Sequence, residues 1–254
     1  MKTKSTRRLT PLLLLLLTAS LSTAVSVRAD ERIRVENASK KYALEVSVAG
    51  CGGAERSNDD NNCDGPARVS IYRKGTKSPF QVLRLDNLQL YKDTAAYSPE
   101  TSEKPRGIYA EEYTFVFEDF DFDGEEDLAV CNGREGGYGG PSYNVYLFDK
   151  RSKRFVENRR LSELTEGPYL GLFFPDPKKR RLSAYSKSGC CYHETEVYQV
   201  VRGRPVLVEK VIEDATGAGD SDDELLVTTT TKRRVGRRWV VRTKREKVKR
   251  ENRE

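Results

Sequence analysis

The chain places Asp119, Asp121 and Asp123 at alternate positions, follows them with Gly124, and adds Asp127 three residues later. Four carboxylates so close together repel, so this stretch calls for a neutralising partner. Calcium is a hard cation that takes six to eight oxygens at about 2.3–2.6 Å. An EF-hand-type loop supplies side-chain oxygens from positions 1, 3 and 5, a glycine at 6, a backbone carbonyl at 7 and another ligand at 9. Here those positions are Asp119, Asp121, Asp123, Gly124, Glu125 and Asp127. Position 12 is Val130 rather than a bidentate glutamate. The flanks YTFVFE and DLAVC read as strands, so the loop is expected without the EF-hand helices. Phe120 and Phe122 stand between the acids, so the backbone there is expected to pack on a core. Magnesium fits less well, because it keeps several waters. Calcium is the expected cofactor.

A second stretch, DNNCDG at 60–65, repeats the pattern with Asp60, Asn62, Asp64 and Gly65, but its ninth position is Arg68. Asx-rich turns also look like this without metal. His193 is the only histidine and stands near Cys190 and Cys191. No C-x-x-C pair accompanies it, so zinc is not expected. Glu111 and Glu112 form one of many acid pairs. No nucleophile elbow, phosphate loop or dinucleotide fingerprint is present. The chain is therefore read as a binding protein, not an enzyme. The run GREGGYGGPSY after the acid loop is the expected contact surface. Its glycines permit close backbone approach, and Tyr138 and Tyr143 bring amphipathic area suited to interfaces.

The N-terminus is basic, then Leu12 to Leu17 begin an apolar run, and Val27-Arg28-Ala29 offers a cleavage site. This is the layout of a secretory signal peptide over residues 1–29. The run is shorter than the roughly 20 residues a membrane span needs. No transmembrane segment is expected after cleavage, and the chain is placed in the periplasm or outside the cell. Oxidising conditions there favour disulfides. Of the five cysteines, Cys51 and Cys63 would close a polar loop, contributing about 3 kcal/mol. Cys131 is expected to pair with Cys190 or Cys191, with a free thiol or a bridge between neighbours as the alternatives.

The leader holds five of the 45 Lys and Arg residues and none of the 39 acids. The remainder is thus nearly neutral but unevenly charged. Residues 232–254 carry 12 bases and three glutamates, which leaves residues 30–231 with eight more acids than bases. The basic tail, 244–254, reads first as a solvated segment, and the partners it would suit are anionic envelope polymers or lipid head groups. Nucleic acid is not an expected partner for an exported chain.

These residues must be positioned by strands. YALEVSVAG, ARVSIYRKG, QVLRLDNLQLY and YTFVFEDF alternate or are rich in β-branched and aromatic residues. Four segments read as hairpins, starting near Val69, Val145, Val197 and Leu226. Residues 92–107 and 133–142 read as loops, and 161–167 as a short helical turn. The predicted fold is one all-β domain over 30–243, an irregular small β-propeller-like unit built of hairpins, with a β-sandwich as the alternative.

DFDFDGEEDLAV resembles the calcium loops of FG-GAP and VCBS-type β-propeller repeats, although one good copy is present. More of the chain, about residues 110–201, is similar to periplasmic immunity proteins of Xanthomonas-type bacterial killing systems. The acid loop, GREGGYGGPSYNVYLFDKRSKRFVENRRLSEL and SKSGCCYHETEVYQV carry this likeness. The resemblance implies a propeller-like fold, a calcium loop at Asp119, Asp121, Asp123, Glu125 and Asp127, and inhibition of a lysozyme-like, peptidoglycan-cleaving effector delivered by a type IV secretion system. An exported module that binds glycan or another envelope polymer is the alternative.

Overall fold

The computed structural model describes residues 31–49, 62–101, 112–218 and 224–249. Their strands form three sheets, consecutive along the chain. The first is an antiparallel meander of β1 (Glu31–Val35), β2 (Tyr42–Val48), β3 (Asn62–Arg73) and β4 (Gln81–Tyr91). The second holds β5 (Ala96–Tyr97), β6 (Phe115–Glu118), β7 (Asp127–Gly133), β8 (Ser142–Asp149) and β9 (Arg154–Glu157). Only β5 and β6 run parallel. The third holds β10 (Phe174–Asp176), β11 (Arg181–Ser188), β12 (Tyr192–Val201), β13 (Arg204–Ala218), β14 (Glu224–Val235) and β15 (Arg238–Lys249). The fold is all-β, and the described strands close into no barrel. All four expected hairpins are present, as β3–β4, β8–β9, β12–β13 and β14–β15.

The middle sheet is buried on both faces, and its sequence shows why. Successive strand residues point to opposite sides. Phe115, Phe117, Leu128 and Val130 join Leu44, Val46, Ile71 and Leu88 in a first core, shared with the first sheet. Val116, Ala129, Cys131, Tyr143 and Val145 join Leu182, Ala184 and Tyr198 in a second core, shared with the third sheet. Runs such as FVF and LAVC are apolar at every position because neither face meets water. In β2, by contrast, Leu44, Val46 and Val48 are buried while Glu45 and Ser47 between them are less so.

Polar side chains complete the backbone pairing where strands stop. Gln81 on β4 donates to the Phe155 carbonyl at 2.8 Å and accepts the Phe155 N–H at 2.9 Å, tying the first sheet to β9. The helical turn expected at 161–167 consists of α1 (Arg159–Ser162) and a 3-10 turn, Glu163–Thr165. Ser162 and Thr165 accept the N–H groups of Val145 and Tyr143, both at 2.9 Å. These two amides of β8 lie beyond the reach of the short β9, and buried amides require a partner.

The third sheet outgrows the core. Of all the described residues in β14 and β15, only Val227 is buried. β15 runs to Lys249, so residues 244–249 of the basic tail lie within a strand.

Candidate functional site

The acid loop spans the turn from β6 to β7. Gly124 has φ +92°, a conformation that disfavours side chains, and Phe122 also adopts a positive φ, +62°. Phe120 and Phe122 are buried, as their placement between the acids implies, and Phe120 packs edge-on against Phe173. The two rings pin the loop to the second core while the carboxylates turn back over its amides. Asp119 accepts the N–H groups of Asp123 (3.0 Å) and Gly124 (2.8 Å). Asp121 accepts the Asp123 N–H at 3.1 Å.

Asp127 is the anchor of the loop. Only 1% of its surface is exposed, yet it accepts three amides, from Phe120 (2.8 Å), Asp121 (3.3 Å) and Phe148 (2.8 Å). Burial pushes its carboxyl up to about 8, and the neighbouring Asp121 and Asp119 push the same way against the amide hydrogen bonds. Asp121 is also shifted upward, first by burial and then by Asp123 and Asp119. Ionising these carboxyls is therefore costly, because the loop's own amides do not fully offset burial and mutual repulsion.

Carboxylate oxygens of Asp119, Asp121 and Asp127 lie within 4.8 Å of one another. Two oxygens on opposite sides of a calcium ion are about 5 Å apart, so one ion can touch all three. A carboxylate offers roughly four lone-pair directions. Three are taken on Asp127, two on Asp119 and one on Asp121, and the rest remain for a cation. The donor set, hard oxygen only, fits calcium. Asp123 stands outside this triad. Its carboxylate accepts the Glu125 N–H at 2.9 Å and pairs with Lys150 at 3.2 Å. Glu125 turns its carboxylate to Lys41, at 2.9 Å.

The glycine-rich loop begins where β7 ends at Gly133 and is held on three sides. Gly137 donates to the Tyr169 carbonyl at 2.7 Å, and Gly167 donates to the Glu135 carbonyl at 2.8 Å. Arg134 donates to the Gly139 carbonyl (3.2 Å), the Tyr91 hydroxyl (3.1 Å) and Glu112 (3.1 Å). Close approach explains the glycines: a Cβ at Gly137 would lie 2.7 Å from the Pro168 carbonyl oxygen. Tyr138 stands at the crest, in the left-handed region at φ +56° and 69% exposed. Its hydroxyl accepts the Gly189 N–H at 2.6 Å, and the Lys187 ammonium lies 5.3 Å from its ring centre. The ring is therefore both exposed and fixed.

Tyr143 does not share this surface. It is 3% exposed, and its hydroxyl donates to the Tyr113 carbonyl at 3.0 Å. The β8 alternation points it into the second core, so the expectation of a contact role is corrected. Among the cysteines the expected pairing of Cys131 gives way to the two alternatives, a free thiol and a bridge between neighbours. Cys131 is a buried free thiol facing the second core, which takes it away from Cys190 and Cys191. Those two bridge each other, in the turn between β11 and β12. Cys63 is disulfide-bonded, while its expected partner Cys51 lies outside the described residues, as does the expected leader.

Of the second acidic stretch, Asn62, Asp64 and Gly65 are paired along β3 with β4, an extended geometry rather than a closed loop. Asp60 and Glu111 lie outside the described residues. His193 sits beside Glu213 (3.8 Å) and the Tyr185 ring. Sequence reading missed Lys150 and Arg134, which neutralise and brace the two loops. Arg134 stands in the glycine-rich run itself, but only folding brings Tyr91 and Glu112 to it, and Lys150 to Asp123.

A cleft of about 700 Å³ opens beside the acid loop. Lys40, Lys41, Glu100, Glu118 and Asp119 line it with both signs of charge, together with Tyr97 and Pro175. Among the described residues no helix is long and apolar enough to cross a membrane.

No protein-family model matches the chain, and no curated protein matches it. A solved structure described as that of a Xanthomonas type IV secretion system related protein is similar, with a TM-score of 0.66 and 25% identity. The match covers 85% of this chain and 95% of that one, so the two share a fold over most of their length.

Proposed function

We propose that the chain is an exported, calcium-stabilised β-protein that binds and inhibits a peptidoglycan-cleaving, lysozyme-like enzyme. The observation that carries this reading is Tyr138: a large aromatic side chain, exposed, yet locked by a left-handed backbone and a hydroxyl contact. Rigid, projecting aromatics are the anchors that fill clefts on partners. A solvated connector has no reason to hold one so firmly. The acid loop precedes this loop by one strand, so a bound cation would stiffen the strand from which it springs. Asp119, Asp121 and Asp127 would hold the ion, with Asp123 and the Glu125 carbonyl as further oxygens of the same loop. Three successive hairpin-built sheets are the arrangement that a short, irregular propeller would have. The neighbour's link to a type IV secretion system supports a setting in which such enzymes are delivered.

The test is clearing of a peptidoglycan suspension by a lysozyme-like hydrolase, beginning with any encoded beside this chain. Equimolar protein should slow lysis. Tyr138→Ala should weaken inhibition by about 30-fold, the effect of losing an interface anchor worth about 2 kcal/mol. Undiminished lysis at excess protein, across the cognate hydrolases tried, would sink the proposal.

A further inference from the structure

The hairpin of β14 and β15 ends in KRRVGRRWVVR, residues 232–242, with six bases and no acid. Every residue from Arg233 to Lys247 is exposed. Seven large hydrophobic side chains are exposed among the described residues, and four of them crowd this one tip. They are Val235 (60%), Trp239 (46%), Val240 (42%) and Val241 (56%). Such clustering marks an interaction surface rather than scattered exposure.

The register distributes both chemistries over both faces. Trp239 stands opposite Arg234, and Val241 opposite Lys232, on one side. Val240 stands opposite Arg233, and Val235 opposite Arg238, on the other. Arg233 is engaged by Glu209, at 3.0 Å. Among the described residues no carboxylate pairs with Lys232, Arg234, Arg237, Arg238 or Arg242.

We infer that this tip docks on an anionic phospholipid bilayer. The bases meet headgroup phosphates, each contributing electrostatic attraction near the surface. Trp239 and the valines enter the interfacial layer, where an indole is favoured. A hydrated anionic polymer would satisfy the bases but has no apolar phase to receive side chains on both faces. A second copy is disfavoured because β15, as an edge strand dense in Lys and Arg, repels its own image. The tip lies beyond the core, so docking requires no rearrangement of the sheets. The inference stands independently of the inhibitor reading, which rests on Tyr138.

Trp239 is the sole tryptophan, so its emission reports on the tip directly. The experiment uses the chain isolated after export, its N-terminus verified by mass. With vesicles of phosphatidylglycerol and phosphatidylcholine, the emission should shift to the blue and the protein should float with the lipid. With phosphatidylcholine alone, neither should occur. The double variant R237E/R238E, its fold checked by circular dichroism, should bind at least about tenfold more weakly. Trp239→Ala should float less than the parent. Flotation without a blue shift, equal binding by the charge-reversed variant, or a shift with purified anionic wall polymer but not with vesicles would each overturn the inference.

Discussion

At the residue scale the acid loop makes the sharpest claim. Asp119, Asp121 and Asp127 converge within 4.8 Å, and Asp127 is buried. A cation at 100 times its dissociation constant stabilises the fold by about 2.7 kcal/mol. For a chain of this size that is a rise of roughly 5–10 °C in Tm. Calcium should produce it, excess chelator should remove it, and Asp121→Asn should abolish the response. Identical melting curves with calcium and with chelator would refute the site. The spacing of the acids was legible because a coordination loop is local. Asp123 deviated because Lys150, supplied by the distant β8–β9 turn, competes for its carboxylate. Tyr138 and Tyr143 look alike in sequence; only the register of β8 separates a crest from a core residue.

A second residue-scale device ties the segment before β10, which carries Tyr169, to β12 and β13 of the third sheet. Glu196 accepts hydrogen bonds from Tyr198 (2.5 Å) and Tyr169 (2.7 Å), and Lys210 reaches both Glu196 and Glu194. Burial would raise the Glu196 carboxyl, but the two hydroxyls and the ammonium override it and hold the group below its ordinary value of 4.5. A depressed acid stabilises the fold above the unfolded value, and that contribution is lost as pH falls through the folded value. Melting temperature should therefore drop as pH falls below about 4.5, and Glu196→Gln should make that acid limb shallower. Parallel acid limbs for the two proteins would rule out this role for Glu196.

At the element scale the middle sheet bears the load from both sides. Phe117 is fully buried, stacked on Tyr42 at 5.6 Å and edge-on to Phe155 at 6.3 Å. Phe117→Ala should cost about 3–5 kcal/mol, read as a shift in the denaturant midpoint with little change in slope. A loss under about 1 kcal/mol would mean that the two sheets pack far less tightly than described. The hairpins were legible because turn residues and period-two patterns are local signals. The stacking order was not, since FVF and LAVC name no neighbour. The choice among the cysteine alternatives stayed open in the sequence for the same reason. Whether Cys131 faces a core or a partner thiol is decided by which sheet covers that face of β7, and the third sheet does so with Leu182 and Ala184.

At the scale of the whole molecule, charge is segregated rather than merely balanced. Residues 232–254 hold 12 bases against three acids, while residues 30–231 hold eight more acids than bases. That asymmetry could be counted in the sequence; its placement on an overhanging hairpin could not, because nothing local says where burial ends. The segregation has a kinetic consequence for the proposed inhibitor. An acidic body attracts a basic hydrolase over long range and speeds encounter, and salt screens that attraction over a Debye length of about 8 Å at physiological ionic strength. The Tyr138 anchor acts only after contact. Raising salt should therefore slow association by about tenfold or more while leaving dissociation nearly constant. Tyr138→Ala at fixed salt should do the reverse, speeding dissociation with little change in association. Stopped-flow or surface-based kinetics separates the two rates. If salt acted on dissociation instead, charges would lie inside the contact itself, and the acidic body would not be steering encounter.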